Sequence, residues 1–496
     1  MKPSIPCVHK KYAVVRVNHE AKSRHMRSSF LPRSARAARR VGGQRQQFLS
    51  TAVLDIASEV ELKAGSTSAA GNVLLAKKKV EWKPRSMERS RVPVETSQLF
   101  CASNDPLQHT SDDVGKFFQL EAGTALFELF YHIGFCGDAV EDRARRLQSS
   151  AMMVRERGLE VRDELLRWQR EGTLGKQQGL LLTGESGVGK SCVLNYVLSC
   201  CQLSGWLVVA VPHAADWTLG LGAKDCRHPN EAYRVTDPAY FTDLPPELVG
   251  ADALYENPEA TAHLLISTYL SQRPALEKVR LKGAERIAHY AARAKDQNAG
   301  PTLADMLAPY ATDESGSFSD FPMPLRPVYD LFAELSLATE VPVLVAVDGH
   351  NRWDQMASSC HWHTKVPLHA SELLVPKLLG DLSEYGGAMA NGVVVGSVTH
   401  GGAQPPGVPP ALRKHIPPPH DFTRPRSLPP ALRALLRPVG TYGPKEMQAA
   451  LEFYALTGHL ANRGLEAQLR DGSLRTKVGL LTAGVPDDVF KICEQL

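Results

Sequence analysis

The run Gly184-Glu185-Ser186-Gly187-Val188-Gly189-Lys190-Ser191 constrains this chain more than any other stretch. It fits G-x-x-x-x-G-K-[ST], a pattern whose glycines let successive backbone N–H groups turn inward around phosphate oxygens, at a helix N-terminus whose dipole favours anions. The flanks agree with it. Gly179-Leu180-Leu181-Leu182-Thr183 is a short apolar run that can be a buried strand, and Cys192 to Leu203 has helical spacing. In such a loop Lys190 reaches the β and γ phosphates and Ser191 places its hydroxyl on Mg²⁺. From average residue usage, a chain of 496 residues meets the bare pattern by accident on the order of 0.02 times. A chance glycine-rich turn also leaves the strand feeding the loop unexplained.

This length accommodates two or three domains with sizeable cores, at roughly 150 residues each. Hydrophobic content of 43% and charged content of 22% are those of a soluble globular protein. The net charge of +4 conceals an asymmetry: residues 1–50 hold twelve lysines and arginines against one acid, Glu20, so this segment carries +11 and the remainder −7. An Arg-rich, acid-poor start reads as an organellar transit peptide, with cleavage placed near Arg45 to Ser50; a disordered basic tail gripping nucleic acid is the other reading. No stretch of about 18 apolar residues occurs, so no membrane span is expected. Nine scattered cysteines, an odd number, point to a reducing compartment. Cys360-His361-Trp362-His363 puts three potential ligands within four residues, but with no second pair at zinc-finger spacing it is not read as a zinc site.

Between Lys77 and Arg91 stand seven positive and two negative residues, with Trp82 among them; this is a solvated arm or a contact for RNA phosphates. Helical periodicity is expected over Leu120–Tyr131 and Ala151–Arg170, followed after the loop helix by a strand over Trp206–Val211. Helices are expected over Pro258–Gln272, Leu276–Arg293, Thr302–Tyr310 and Pro327–Leu337, then strands over Pro342–Val347 and Asn391–Val398 with a helix over Ser371–Leu382 between them. Apolar strands alternating with helices imply a parallel sheet covered on both faces. Eleven prolines between Pro405 and Pro438 forbid long helices there. Pro444–Leu460 and Asp487–Leu496 read as a small helical C-terminal subdomain.

Val343-Leu344-Val345-Ala346-Val347 delivers Asp348 at the end of an apolar strand, the Walker B role, in which it holds Mg²⁺ through water opposite Ser191. Gly349 follows, where AAA-like ATPases carry a Glu that polarises the attacking water. His350, Asn351 and Asp354 are near, but none stands at that position. Ser397 or Thr399, ending the next strand, either senses the γ-phosphate or serves as a capping hydroxyl. The expectation is a nucleotide that is bound and hydrolysed slowly or not at all, with no catalytic residue assigned. No Asn/Thr-Lys-x-Asp guanine reader follows Asp348, so composition alone makes ATP the default.

Several stretches resemble the death-associated protein 3 family, P-loop proteins of the mitochondrial small ribosomal subunit. They are Asp113-Val114-Gly115-Lys116-Phe117-Phe118, Val154-Arg155-Glu156, the loop itself, Trp206–Trp217, Leu344-Val345-Ala346-Val347-Asp348-Gly349-His350-Asn351, Gly443-Pro444-Lys445-Glu446 with Tyr454, and Leu481–Leu496. Asp-Gly in place of Asp-Glu is that family's own pattern. The family's Asn-Pro before the last helix is here Val485-Pro486, and the proline-rich segment is long for the family.

The resemblance implies an α/β P-loop NTPase fold of the AAA-like kind, with a parallel sheet, helices on both faces, a helical C-terminal subdomain and an extended N-terminal segment. It divides the chain into a transit peptide or basic arm (1–50), an extension with ribosome contacts (51–150), the nucleotide-binding domain (151–400) and a proline-rich loop with the helical subdomain (401–496). It also implies a guanine nucleotide, GTP or GDP, with Mg. Gly184, Glu185, Ser186, Gly187, Val188, Gly189, Lys190, Ser191 and Cys192 would contact the nucleotide, and Ser191 and Asp348 the metal. Partners would be small-subunit ribosomal proteins and ribosomal RNA in the subunit head, with a possible intersubunit bridge to the large subunit, in the mitochondrial matrix. The alternatives are an active AAA-like ATPase working as a nucleotide-driven switch, and a free RNA-binding protein, against which the −7 body argues.

Overall fold

Four buried apolar runs and one short, more exposed strand make the central sheet: β1 (Leu180–Thr183), β2 (Leu207–Val211), β3 (Val343–Val347), β4 (Gly392–Ser397) and β5 (Leu436–Pro438). The computed structural model describes residues 96–496, except 122, 133–135, 137, 178, 216, 218–230, 252–253, 313–321, 355, 362–366, 384–388, 399–432 and 461–462. All neighbouring strands are parallel, in the order β5-β1-β4-β3-β2. Runs without polar alternation suit a sheet buried on both faces. The register aligns Leu182 with Ser397, and Val347 with both Gly396 and Val211. The chain therefore leaves β1, β3 and β4 along one carboxyl edge, the edge where parallel sheets bind ligands.

Helices cover each face. On one side Leu180, Leu182, Val208, Ala210, Leu344, Ala346, Val393 and Val395 pack with residues of α1 (Glu156–Arg170) and α2 (Lys190–Leu203). On the other Val209, Val343, Val345 and Val347 meet α3 (Pro258–Leu276), α4 (Leu303–Thr312), α5 (Arg326–Leu337) and α6 (Leu374–Ser383). The start of α3 is set locally, because the Asn257 side chain accepts from the Ala260 amide at 3.0 Å and Pro258 opens the helix. The last helices, α7 (Pro444–Thr457), α8 (Ser473–Thr482) and α9 (Pro486–Gln495), share a separate apolar cluster with Leu99 and Phe117. Gly458, at φ +74°, ends α7 three residues before the expected Leu460.

Three expected helices are shorter than their periodicity suggests. Ala151–Met153 is a strand, paired antiparallel with Phe117–Gln119, and the helix begins only at Glu156. Three residues carry too little periodicity to separate strand from helix. Within Leu276–Arg293, Leu276 is the last residue of α3 and the next α-helix is confined to Ala284–Tyr290. The amides of Lys282 and Gly283 instead donate to the Glu334 carboxylate at 2.8 and 3.0 Å, and Leu281 N–H donates to Pro301 O. Within Leu120–Tyr131 only Ala125–Phe127 is α-helical, and it runs into a π-helical turn over Glu128–His132. The basic start, the Lys77–Arg91 run and most of the proline-rich segment lie outside the described residues. Among the described residues no helix is long and apolar enough to cross a membrane.

Candidate phosphate-binding site

Three glycines shape the loop that follows β1. Gly184, Gly187 and Gly189 have φ of +132°, +80° and +94°, which only glycine reaches without strain. Space is equally restrictive. A Cβ on Gly184 would stand 2.4 Å from the Val439 carbonyl oxygen, and one on Gly187 would stand 2.7 Å from Asp487 Cβ. Gly189 is the N-cap of α2, and Val188 anchors the loop in the core beneath it. Glu185 and Ser186 are exposed at the loop tip, whereas Ser191 and Cys192 are half-buried in the first turn of α2.

Lys190 is buried, and its Nζ donates to the carbonyl oxygens of Gly184 at 3.0 Å and Glu185 at 2.6 Å. Burial lowers its pKa, and the charge of Asp348 works in the opposite direction. The lysine and the aspartate therefore act on one another across the strand between them. Asp348 ends β3, and its carboxylate accepts a hydrogen bond from the Ser397 hydroxyl. Ser397 Oγ in turn accepts from Gly349 N–H at 3.0 Å. Ser397 thus orients the carboxylate and caps the backbone beyond it; Thr399 lies outside the described residues.

No carboxylate follows Asp348. Gly349 sits at φ +77°, and the half-buried His350 imidazole, beside Trp353, is pushed by desolvation down to a pKa of about 4. It is neutral near pH 7 and a weak base. Asn351 is buried, and Asp354 closes the short helical turn His350–Asp354. Among the described residues no group of three or more His, Cys, Asp or Glu side chains is arranged to hold a metal ion; Trp362 and His363 lie outside them.

Charged residues that motif reading left without a role surround the loop. Arg155, in the turn before α1, donates from Nη1 to Val188 O at 3.1 Å and from Nη2 to Gly440 O at 2.9 Å, and its Nε pairs with Glu446 at 2.6 Å. Its guanidinium also lies 4.9 Å from the Tyr442 ring centroid. Arg143 pairs with Asp487 at 2.7 Å and lies over Phe490, and the Asp487 amide donates to Gly187 O at 3.1 Å. The Cys192 thiol feels this arrangement: burial pushes it up, while Arg143 and Arg155 pull it down. Arg155, Glu446 and Asp487 stand in three stretches that carry the family resemblance, which was the signal for them; nothing marked Arg143.

The family model described as mitochondrial ribosomal death-associated protein 3 matches residues 152–231 and 242–492. The chain belongs to that family. It is accordingly a mitochondrial ribosomal protein of the small subunit, resident in the matrix. No curated protein matches the chain. The family match takes in the loop, Asp348, Ser397, Arg155, Glu446 and Asp487, and it covers most of the stretch 218–340, which holds none of the segments that carried the resemblance. It does not reach Asp113–Phe118.

Proposed function

We propose that this chain binds a guanine nucleotide, GTP or GDP, with Mg²⁺ in a P-loop NTPase-like site, and serves as a structural component of the small-subunit head with little or no hydrolysis. One observation carries the reading: a loop whose Gly184 and Gly187 leave no room for a Cβ, with Lys190 tied to its backbone, shares the carboxyl edge of the sheet with a carboxylate that Ser397 holds. Gly184 to Cys192 would receive the phosphates through backbone N–H groups and the lysine. Ser191 and Asp348 offer oxygen donors, which suit Mg²⁺ better than a softer ion. Bound there, the ion would neutralise phosphate charge.

Slow turnover follows from the residues beyond β3. Gly349 offers no base, and the desolvated His350 is a poor one. The guanine preference, the contacts with neighbouring ribosomal proteins and ribosomal RNA, and a bridge to the large subunit are supported by family membership. The test is to extract and identify the nucleotide that copurifies with the protein. One guanine nucleotide per chain is expected, and adenine or none counts against the reading. Sustained hydrolysis above roughly 1 s⁻¹, the low end of typical turnover, would favour a nucleotide-driven switch instead.

A further inference from the structure

We propose that Arg155 and the first turn of α9 set the binding shape of the phosphate loop from outside, so that the site includes two elements remote from it in sequence. This deepens the nucleotide reading and rests on it. A trans peptide is planar, so its C=O and N–H point in opposite directions. Arg155 Nη1 holds the Val188 carbonyl at 3.1 Å, and the Asp487 amide holds the Gly187 carbonyl at 3.1 Å. Each tie draws one carbonyl outward and turns the next amide, that of Gly189 or Val188, to the opposite side. An anion nest needs successive amides turned to one side.

Both ties are themselves fixed. Every nitrogen of the Arg155 guanidinium is used, by Val188 O, Gly440 O and Glu446, and the Tyr442 ring lies against it. Lysine cannot reproduce that fork, because its ammonium is a compact point charge. The Asp487 carboxylate is pinned by Arg143 at 2.7 Å and Lys491 at 2.6 Å. Gly187 leaves no slack between loop and helix, since a Cβ there would meet Asp487 Cβ at 2.7 Å. Donors ordered before the ligand arrives bind it without paying to be ordered. Arg155 is therefore a positioning residue for the phosphates.

The experiment compares the purified full chain with Arg155→Lys and with Glu446→Gln, which removes the charge that holds the guanidinium without touching the loop. Binding of the fluorescent analogue mant-GDP with Mg²⁺ is titrated, and amide hydrogen exchange is followed without nucleotide. The expected result is at least tenfold weaker binding for Arg155→Lys and a smaller loss for Glu446→Gln. Exchange should be faster at Val188 and Gly189 in both, with α3 unchanged. Wild-type affinity in both variants, or weaker binding with unchanged exchange at Val188 and Gly189, overturns the proposal. If the wild-type chain binds no mant-GDP, the nucleotide reading falls. The exchange comparison then still decides the loop's shape: unchanged exchange refutes control by Arg155, and faster exchange upholds it.

Discussion

Asp348 is oriented by one hydroxyl, and this makes Ser397 the most informative single position at the sheet edge. A hydrogen bond to a charged group contributes about 1.5–3 kcal/mol. Ser397→Ala should therefore weaken Mg²⁺-dependent mant-GDP binding by roughly tenfold or more, while binding measured in EDTA stays near that of the wild type. Equal losses in both conditions would mean that Ser397 supports the fold and not the carboxylate. A second residue, far from the loop, ties stability to pH. Glu256 is completely buried and accepts from the amides of Asn257 at 2.6 Å and Val375 at 2.7 Å, yet burial raises its pKa from 4.5 to about 7. Between those values the folded chain keeps a proton that the unfolded chain has lost. The stabilisation is full below pH 4.5 and is lost as pH rises through 7, on the order of 3 kcal/mol in all. Glu256→Gln should remove that slope from denaturation curves recorded between pH 5 and 8; an unaltered slope assigns it to other groups.

At the level of elements, what could be read in advance was what is encoded locally. The apolar run Leu180–Thr183, the loop glycines, the helix opening at Pro258, and Asp348 just after β3 all sit where their own neighbours dictate. What escaped depends on partners distant along the chain. Ala151–Met153 is a strand only because Phe117–Gln119 lies beside it, and Arg155 meets Glu446 across 291 positions. The contact of α9 with the loop is of the same kind, and one substitution isolates it. Gly187→Ala places a methyl group at φ +80° and against Asp487. It should cost about 1–2 kcal/mol from backbone strain alone and speed hydrogen exchange over Pro486–Gln495. Gly479→Ala, within α8 and with nothing near its Cβ, is the control and should hold or raise the melting temperature. Matching behaviour of the two variants would show that the loop and α9 are not packed as described.

For the whole molecule, a bound nucleotide is a stabiliser, because a ligand at 1,000 times its Kd adds about 4 kcal/mol to the native state. Lys190→Ala should lower both thermal stability and incorporation into the small subunit. Since Lys190 also ties Gly184 and Glu185, the diagnostic is the rise in melting temperature on adding GDP and Mg²⁺: present in the wild type and absent in the variant. A variant that assembles normally and melts with the wild type would leave nucleotide no structural part. The long separations described above also impose a timetable. Because Gly187 is fastened by an amide 300 positions downstream, a growing polypeptide that has already made its glycine turn cannot close it until synthesis has passed Asp487. The glycine turn is thus left open until Asp487 has been made, and a product halted before that residue would emerge with its signature motif intact and its loop unfastened.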